Sequence, residues 1–569
     1  MKYRWVHRKE SIEKKEIDAL CEEHVLSPFL AQVLYSRDIP QEDIRTYLLP
    51  QLRLLDPAGL DSAFRNGVEA FSQALLSGSP VAVWGDYDVD GVTSSALVHH
   101  VVTAHGFPIH CHIPKREDGY GMTQEGIYYL STQGIRTILT VDCGITDRGP
   151  VEYARSLDID VIITDHHIPP HELPNAVAIC NPKLCKTAYQ HFAGVGVAFI
   201  MMAMVNRYLA DYTGITVDMR EVLDLVALGS IADLVPLQGQ NRIIVKNGLL
   251  LLKEARREGI RALKEVVGMR GSSPVTAGQV GFTLAPRINA AGRMGHAKEA
   301  FLLLTTQDRD EAVRLAHVVN EYNQQRQQEE ERITHEAKSQ AELLCDRLSL
   351  VVYKEDWHHG IIGIVASRLV ETYYKPSIVL CRDGEIIKGS ARSIAELDLY
   401  DALCDCRDLF LRFGGHTVAA GMSLPPENLE AFIKRFEEAV IKRIGTEPYI
   451  PSLHIDGTLS FSFAREVSFR DDIESLQPFG IKNSEPVFIS PQLTLKNVQY
   501  FGDASSHAVL TLYDDTSGIT LQAKAWHLAS EFTTFDIGRE IEVVYSPTIE
   551  EYKGIPHSTL KLKDWNWVA

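Results

Sequence analysis

Between Val81 and Ser95 the sequence reads VAVWGDYDVDGVTSS: four apolar residues, a glycine, and then Asp86, Asp88 and Asp90 at alternate positions. Carboxylates this close repel one another by several kcal/mol in a low-dielectric cleft, so a folded chain must protonate them, solvate them or neutralise them with cations. Other apolar runs end in further acids and imidazoles: Asp142 in TILTVDCGI, then Asp165, His166 and His167 in DVIITDHH, and Asp233 in ALGSIADLVPL. Hard carboxylates joined by borderline imidazole nitrogens suit a pair of manganese or magnesium ions. Each member alone has a plainer use. A DxD in a strand-to-helix loop caps the helix, Asp142 can be a turn residue, His166 and His167 can sit in a core, and Asp233 can be an N-cap before Leu234. Their coincidence at one sheet edge is what favours metal binding, because caps and core residues do not require it.

That coincidence needs a sheet. Val81–Trp84, Thr137–Asp142, Asp160–Asp165 and Ala176–Cys180 are short β-branched runs separated by helical lengths, the pattern of a parallel βαβ sheet. Ligands of such sheets bind beyond the carboxyl ends of the strands, where these acids fall. Gly194 to about Leu304 reads as mostly helical, and Asp310 to Leu344 runs without Gly or Pro as one long helix. Its apolar heptads are too sparse for a coiled coil, so it reads as a spacer. A second α/β segment follows, with SLVVY, a helix from about Gly360, SIVLC, and a Gly-rich turn at Gly414 and Gly415. Beyond Pro448, TLSFSF, LTLKNVQYF, HAVLTLYDD, ITLQAKAW and EIEVVYS read as strands of a small barrel, for which an oligonucleotide-binding (OB) fold is the natural candidate. Residues 1 to about 60 read as short helices with a Pro-punctuated loop. The expected domains are thus 1–60, 61–309, a connecting helix 310–346, then 347–445 and 450–569.

A chain of 569 residues has room for three or four domains of about 150 residues each. Its 45% apolar and 23% charged composition excludes disordered and fibrous classes. The longest apolar run, Val195 to Val205, stops well short of the roughly 20 residues a bilayer needs. No apolar h-region follows the basic N-terminus, so a cytoplasmic protein is expected. The nine cysteines form neither a CxxC pair nor a secreted-type framework and read as reduced thiols. A net charge of −18 disfavours nucleic acid unless the acids cluster around metals, away from a binding groove.

In this order, GDYDVDG, VDCGI, TDHH and GSIADLVPL resemble the successive motifs of the DHH phosphoesterase superfamily. RINAAGRMG (Arg287–Gly295), WHHGIIGIVASRL (Trp357–Leu369), GSARS (Gly389–Ser393) and FGGHTVAAG (Phe413–Gly421) are similar to the RecJ exonucleases and their DHH-associated second domain. The resemblance runs from about residue 25 to the end. It implies an α/β fold with a parallel-sheet DHH domain and a DHH-associated domain joined by a long helix, followed by an OB-like β-barrel. The implied activity is metal-dependent 5′→3′ hydrolysis of single-stranded DNA to 5′-mononucleotides in repair and recombination. Asp88, Asp90, Asp142, His166 and Asp233 would ligate two Mn2+ or Mg2+ ions, with Asp142 bridging and His167 beside the scissile phosphate. Related phosphatases carry a histidine four residues before the first metal-binding aspartate; Trp84 stands there, and Asp86 would compensate as a further ligand.

By the same resemblance, Arg116 of IPKREDGYG, Ser390 and Arg392 would form a 5′-phosphate pocket, and Arg287, Asn289 and Arg293 would clamp the backbone. His358, Gly414, Gly415 and His416 would line the opposite wall. A monomer with a single-stranded-DNA-binding protein and a helicase as partners is expected. On the barrel, Phe461, Phe463, Tyr500 and Trp526 among Lys496, Lys524 and Lys561 would stack bases and follow phosphates. Two alternatives share the core: a phosphodiesterase for oligonucleotides or cyclic dinucleotides, and a metal-free replication scaffold. A strand-tracking barrel is superfluous for the first, and the full set of unneutralised acids disfavours the second.

Overall fold

In the computed structural model the described residues are 2–10, 13–55, 62–185, 187–269, 274–502, 505–552 and 555–568, with side chains at all of them except 491, 551, 552 and 555. Of the stretch 1–60 expected to hold short helices and a Pro-punctuated loop, residues 56–60 lie outside them. Two compact units divide the chain: residues 1–285 with 304–308 and 452–569, and residues 286–303 with 309–451.

Sequence patterning places the first unit's sheet. Runs such as VAVW and TILTV are buried along their whole length, as strands covered on both faces must be. Strand β1 (Arg4–His7) lies elsewhere, and β2 (Val81–Trp84), β3 (His110–His112), β4 (Thr137–Val141), β5 (Asp160–Thr164) and β6 (Ala178–Cys180) form a parallel sheet in the order β3-β2-β4-β5-β6. Helices Gln124–Thr132 and Arg148–Ser156 cover one face, through Ile127, Leu130, Val151 and Ala154 against Ile138, Val161 and Ile163. Helices Ser62–Leu76, Val89–Ala104 and Gly194–Thr213 pack together on the other, with Gly67 set against Ile162 and Cys180.

The second unit holds β7 (Leu350–Tyr353), β8 (Ser377–Asp383), β9 (Ile386–Arg392), β10 (Arg412–Gly415) and β11 (Ala419–Leu424) in the order β10-β11-β9-β8-β7. Helix Ile362–Tyr373 lies on one face, and helices Leu399–Cys404 and Leu429–Ile444 on the other. The long helix spans Arg309–Glu342, as its sequence requires. It is more than a spacer, because Ile333, Ala337 and Ala341 are buried in the core around Trp357 and Leu350. Gly414 and Gly415, expected in a turn, lie in the edge strand β10.

The C-terminal part of the first unit closes into a five-stranded barrel, β14 (Phe488–Phe501), β15 (His507–Asp514), β16 (Ile519–Ala525), β18 (Ile555–Trp567) and β17 (Glu540–Tyr552), with β17 returning to β14. The segment TLSFSF is not one of its strands. Only Gly457–Thr458 (β13) pairs, and Phe461–Arg465 is a 3-10 turn that drives Phe461 and Phe463 into the core. Its place in the barrel is taken by β18. At the other end of the chain, β1 pairs in parallel with β12 (Ser452–Ile455), a strand absent from the all-helical expectation for residues 1–60. Helices Lys14–His24 and Pro28–Ser36 bury Ile17, Phe29 and Leu34 in the barrel's own core, and Arg37 Nε reaches the fully buried Asp456 at 2.9 Å.

Candidate metal centre

Strand β2 runs through Gly85 into Asp86, and helix Val89–Ala104 begins at once. Asp88 caps that helix, its Oδ1 accepting from the amides of Asp90 at 2.9 Å and Gly91 at 3.1 Å. Capping and a place in the acidic cluster are therefore compatible. Asp90, buried, accepts at 2.6 Å and 2.8 Å from the amides of Gly194 and Val195, which open helix Gly194–Thr213. The positive end of that helix supports the carboxylate. Asp142 follows β4 with φ 63°, a left-handed conformation that costs a non-glycine residue about 1 kcal/mol and persists where surrounding structure holds it. Gly194 is backed against it so closely that a Cβ there would lie 2.5 Å from the Asp142 Cβ. Asp233 sits at the C-terminal end of helix Leu223–Ala232, a correction to its reading as an N-cap.

Ligand atoms of Asp86, Asp88 and Asp142 lie within 4.8 Å of one another, as do those of Asp90, His166 and Asp233, and those of Asp142, His166 and His167. Asp142 and His166 each belong to two groups. His166 Nε2 is 3.1 Å from Asp142 Oδ1 and 3.8 Å from Asp90 Oδ2, while its Nδ1 is 3.8 Å from Asp233 Oδ2. Apart from that 3.1 Å approach to each other, neither His166 Nε2 nor Asp142 Oδ1 has a hydrogen-bond partner among the described residues, and Asp86 Oδ1 is buried and unpartnered among them too. Orphaned atoms of this kind are costly unless a ligand takes them up.

Electrostatics point the same way. Burial, then the charge of Asp88, pushes Asp86 up to about 8 and Asp90 up to about 7. Burial with the charges of Asp90 and Asp88 takes Asp233 to about 8, and Asp142 is raised well above the carboxylate range. Burial and the neighbouring His167 lower His166 to about 3, so its imidazole is neutral and can offer a lone pair. A cation reverses the carboxylate shifts by supplying the missing positive charge. Converging carboxylate oxygens and a neutral imidazole fit a divalent metal.

His167 is held differently. Asp165, fully buried, accepts from the amides of His166 and His167 at 2.7 Å and 3.0 Å, from Ile145 N at 2.9 Å, and is 2.7 Å from His167 Nδ1. Burial alone would pull the imidazole down, but the hydrogen bond and charge of Asp165 outweigh it and raise His167. Sequence reasoning gave Asp165 no role of its own. It also passed over the residues after β6, where Asn181 Nδ2 donates to the His167 carbonyl at 2.9 Å and Lys183 Nζ donates to the His166 carbonyl. The signal was available, since β6 is a further parallel strand whose carboxyl end is followed by Asn and Lys. Trp84, at the position where related phosphatases have histidine, is buried in the apolar core with Met122 and Ile127. Arg116, half-exposed, stacks its guanidinium 4.4 Å over the Tyr87 ring.

The second unit brings another set together. Arg392 Nη1 lies 3.1 Å from Ser390 Oγ, and Gly363 in the first turn of helix Ile362–Tyr373 is so near that a Cβ would lie 2.9 Å from that oxygen. Arg293 donates to the Gly360 carbonyl at 2.6 Å, and His358 Nδ1 accepts from the Gly360 amide at 3.1 Å. Arg287 bonds Asn320 at 2.9 Å, and Asn289 Oδ1 is buried without a partner among the described residues. Gly414, Gly415 and His416 are exposed; at Gly415 a Cβ would lie 2.4 Å from the Ala419 carbonyl oxygen, whereas at Gly414 it would meet nothing.

On the barrel, Phe461 and Phe463 are 0% and 1% exposed and cannot stack on bases, which corrects their expected place on the binding face. Tyr500 and Trp526 are 45% and 46% exposed. The lysines are already engaged: Lys524 with Glu550 at 2.7 Å, Lys561 and Lys563 each with Glu485 at 3.0 Å, and Lys496 over the Tyr513 ring at 5.0 Å.

Comparison with known proteins agrees with these regions. Family models match as "DHH family, N-terminal domain" over residues 80–230, "DHHA1 domain" over 347–442 and "RecJ OB domain" over 455–564. The chain is 34% identical over 573 residues to the single-stranded-DNA-specific exonuclease RecJ of Bacillus subtilis (strain 168), covering 99% of this chain and 71% of that protein. It is 34% identical to the protein of the same description from Salmonella typhimurium, covering 97% of each. Among solved structures, RecJ from Thermus thermophilus in complex with Mn2+ matches at a TM-score of 0.85 and 28% identity, over 99% of this chain and 80% of that one. The same protein with Mg2+ matches at 0.76 and 27%, over 99% and 78%.

Proposed function

The chain belongs to the RecJ family of single-stranded-DNA-specific exonucleases, and from that membership we propose that it removes 5′-mononucleotides stepwise from the 5′ end of a DNA strand. It is a metal-dependent exonuclease, with Mn2+ or Mg2+ as its cofactor. The observation that carries the mechanism is the pair of orphaned atoms, His166 Nε2 and Asp142 Oδ1, at the junction of three ligand groups. Asp86, Asp88, Asp90, Asp142, His166 and Asp233 would hold two cations, with Asp142 shared. When bound, such cations supply the Lewis acidity and positive charge that phosphodiester hydrolysis needs.

The chain's own residues supply the rest. Asp165 holds the Nδ1 proton of His167 and raises its pKa, so that the ring as imidazolium keeps a second proton on Nε2 to donate in a charge-assisted hydrogen bond to a non-bridging phosphate oxygen. Ser390 and Arg392, beside the first turn of helix Ile362–Tyr373, suit a terminal phosphate; in the first unit, Arg116, stacked on Tyr87, is proposed to bind phosphate as well. Arg287, Asn289, Arg293, His358, Gly414, Gly415 and His416 are proposed to follow the strand behind it. Tyr500 and Trp526 offer bases a stacking surface on the barrel.

Among the described residues no helix is long and apolar enough to cross a membrane. We further propose a cytoplasmic, monomeric enzyme that works with a single-stranded-DNA-binding protein and a helicase. Domain limits at 1–60, 61–309, 310–346, 347–445 and 450–569 are proposed alongside. A 3′-labelled single-stranded oligonucleotide tests the reading. With Mn2+ the label should stay on progressively shorter fragments, and chelator should stop the reaction. Immediate release of the label as a mononucleotide would reverse the polarity.

A further inference from the structure

The loop that carries Arg116 ends in Gly119, Tyr120 and Gly121, and Tyr120 has no part in the chemistry assigned so far. Its hydroxyl lies 3.1 Å from the Asp142 carbonyl oxygen and 2.9 Å from His167 Nδ1, and its ring meets the His167 ring edge-on with centroids 5.3 Å apart. The loop is pinned behind it. Asp147, buried, accepts from the Met122 amide at 2.7 Å, and a Cβ at Gly121 would lie 2.6 Å from the Asp147 carboxylate.

The protons around His167 Nδ1 can be assigned one by one. Asp165 already accepts from three backbone amides, and its ionised carboxylate can only accept, so Nδ1 carries a hydrogen and donates it. A carbonyl oxygen is likewise only an acceptor, so the Tyr120 hydroxyl spends its single hydrogen on Asp142. The phenol oxygen is then left with lone pairs facing Nδ1–H, and that hydrogen is shared between Asp165 and Tyr120. Nε2 is the one ring nitrogen left for a substrate.

We propose that Tyr120 is a positioning residue for hydrolysis: its hydroxyl ties the second histidine of the TDHH run to the backbone of Asp142, fixing the direction in which Nε2 meets the phosphate. The role rests on the exonuclease reading above and adds to it. Tyr120 would contact neither DNA nor metal, and a bridge between the shared carboxylate's backbone and the imidazole would keep the two in register through the reaction.

Tyr120→Phe removes the oxygen and keeps the ring. In the full chain with Mn2+, kcat on a single-stranded oligonucleotide should fall about tenfold while KM and bound Mn2+ per chain stay within about twofold of wild type. In a His167→Ala background, adding Tyr120→Phe should cost nothing further, because the group it positions is gone. A raised KM with unchanged kcat would make Tyr120 a DNA contact. Loss of bound Mn2+ would make it a support of the metal centre, and an equal, additive loss in the His167→Ala background would detach it from His167; each overturns the proposal. Failure of the exonuclease reading itself would show separately, as a wild-type enzyme without metal-dependent hydrolysis.

Discussion

The acid-lined end of the parallel sheet and the aromatic barrel position their functional side chains by opposite rules. At the sheet end, direction comes from the backbone. Each parallel strand delivers the residues after it to the same edge, whatever the details of packing, and Asp86 to Asp90, Asp142 and Asp165 to His167 all arrive there. In the barrel, direction comes from register and from which segment is a strand at all. One 3-10 turn is enough to send Phe461 and Phe463 into the core rather than to the surface. A site at strand ends is therefore robust to small errors in reading, and a site on a strand face is not.

The contrast can be broken most directly at Asp142. Asp142→Ala should reduce hydrolysis by on the order of 10³-fold or more and lower bound Mn2+, because two ligand groups lose a shared member. Activity near wild type with full metal would end the shared-carboxylate assignment. His167→Ala should cost roughly 10²-fold in rate yet keep its metal; equal loss of Mn2+ would make it a ligand.

The barrel side sharpens under a paired substitution. Phe461→Ala should destabilise the protein by about 3–5 kcal/mol in denaturant unfolding, whereas Trp526→Ala should leave stability alone and weaken single-strand affinity by about 1 kcal/mol. The reverse pattern would place the binding face elsewhere. Deleting the barrel is a poorer test, because Phe29 and Leu34 near the N-terminus share its core and would be stripped bare.

A smaller effect tests the cluster's charge. Without metal, Asp86, Asp90 and Asp233 are raised from 3.8 to about 8, 7 and 8, so the folded state holds protons that the unfolded chain has released. Stability of the metal-free protein should fall as pH rises from about 4 through 8, and the increase in Tm given by Mn2+ should grow over the same window. Calorimetry near pH 5 and pH 8, with Mn2+ and with chelator, checks the sign; equal increments at both would show that the carboxylates are not the groups neutralised. The smallest effect is expected at Glu485, which holds Lys561 and Lys563 at 3.0 Å. Glu485→Gln should free both lysines and tighten single-strand binding about twofold at low salt, an advantage lost at high salt.

What the sequence made legible follows the same division. The four runs ending at the metal edge, the long helix and the barrel's middle strands have lengths and periods that admit one reading. The misses have physical causes. TLSFSF alternates like a strand, but Ser460 caps a 3-10 turn through the Ser462 amide instead. Beyond Ile333 the buried face of the long helix is marked by Ala337 and Ala341, residues too small to stand out as an apolar stripe. Asp165 and Tyr120 act on other side chains rather than on a ligand, and nothing in residue type or spacing announces a hydrogen bond between loops as far apart in sequence as those of Tyr120 and His167.

Gly194 carries one more consequence. Any side chain there would have to occupy the space of the Asp142 carboxylate, with its Cβ 2.6 Å from Oδ1, and would also dislodge the amide that holds Asp90. In a library of single substitutions selected for nuclease activity, this position should be as intolerant as the aspartates, with alanine already excluded. A genetic screen would count Gly194 among the catalytic residues, although it has no side chain with which to touch a substrate.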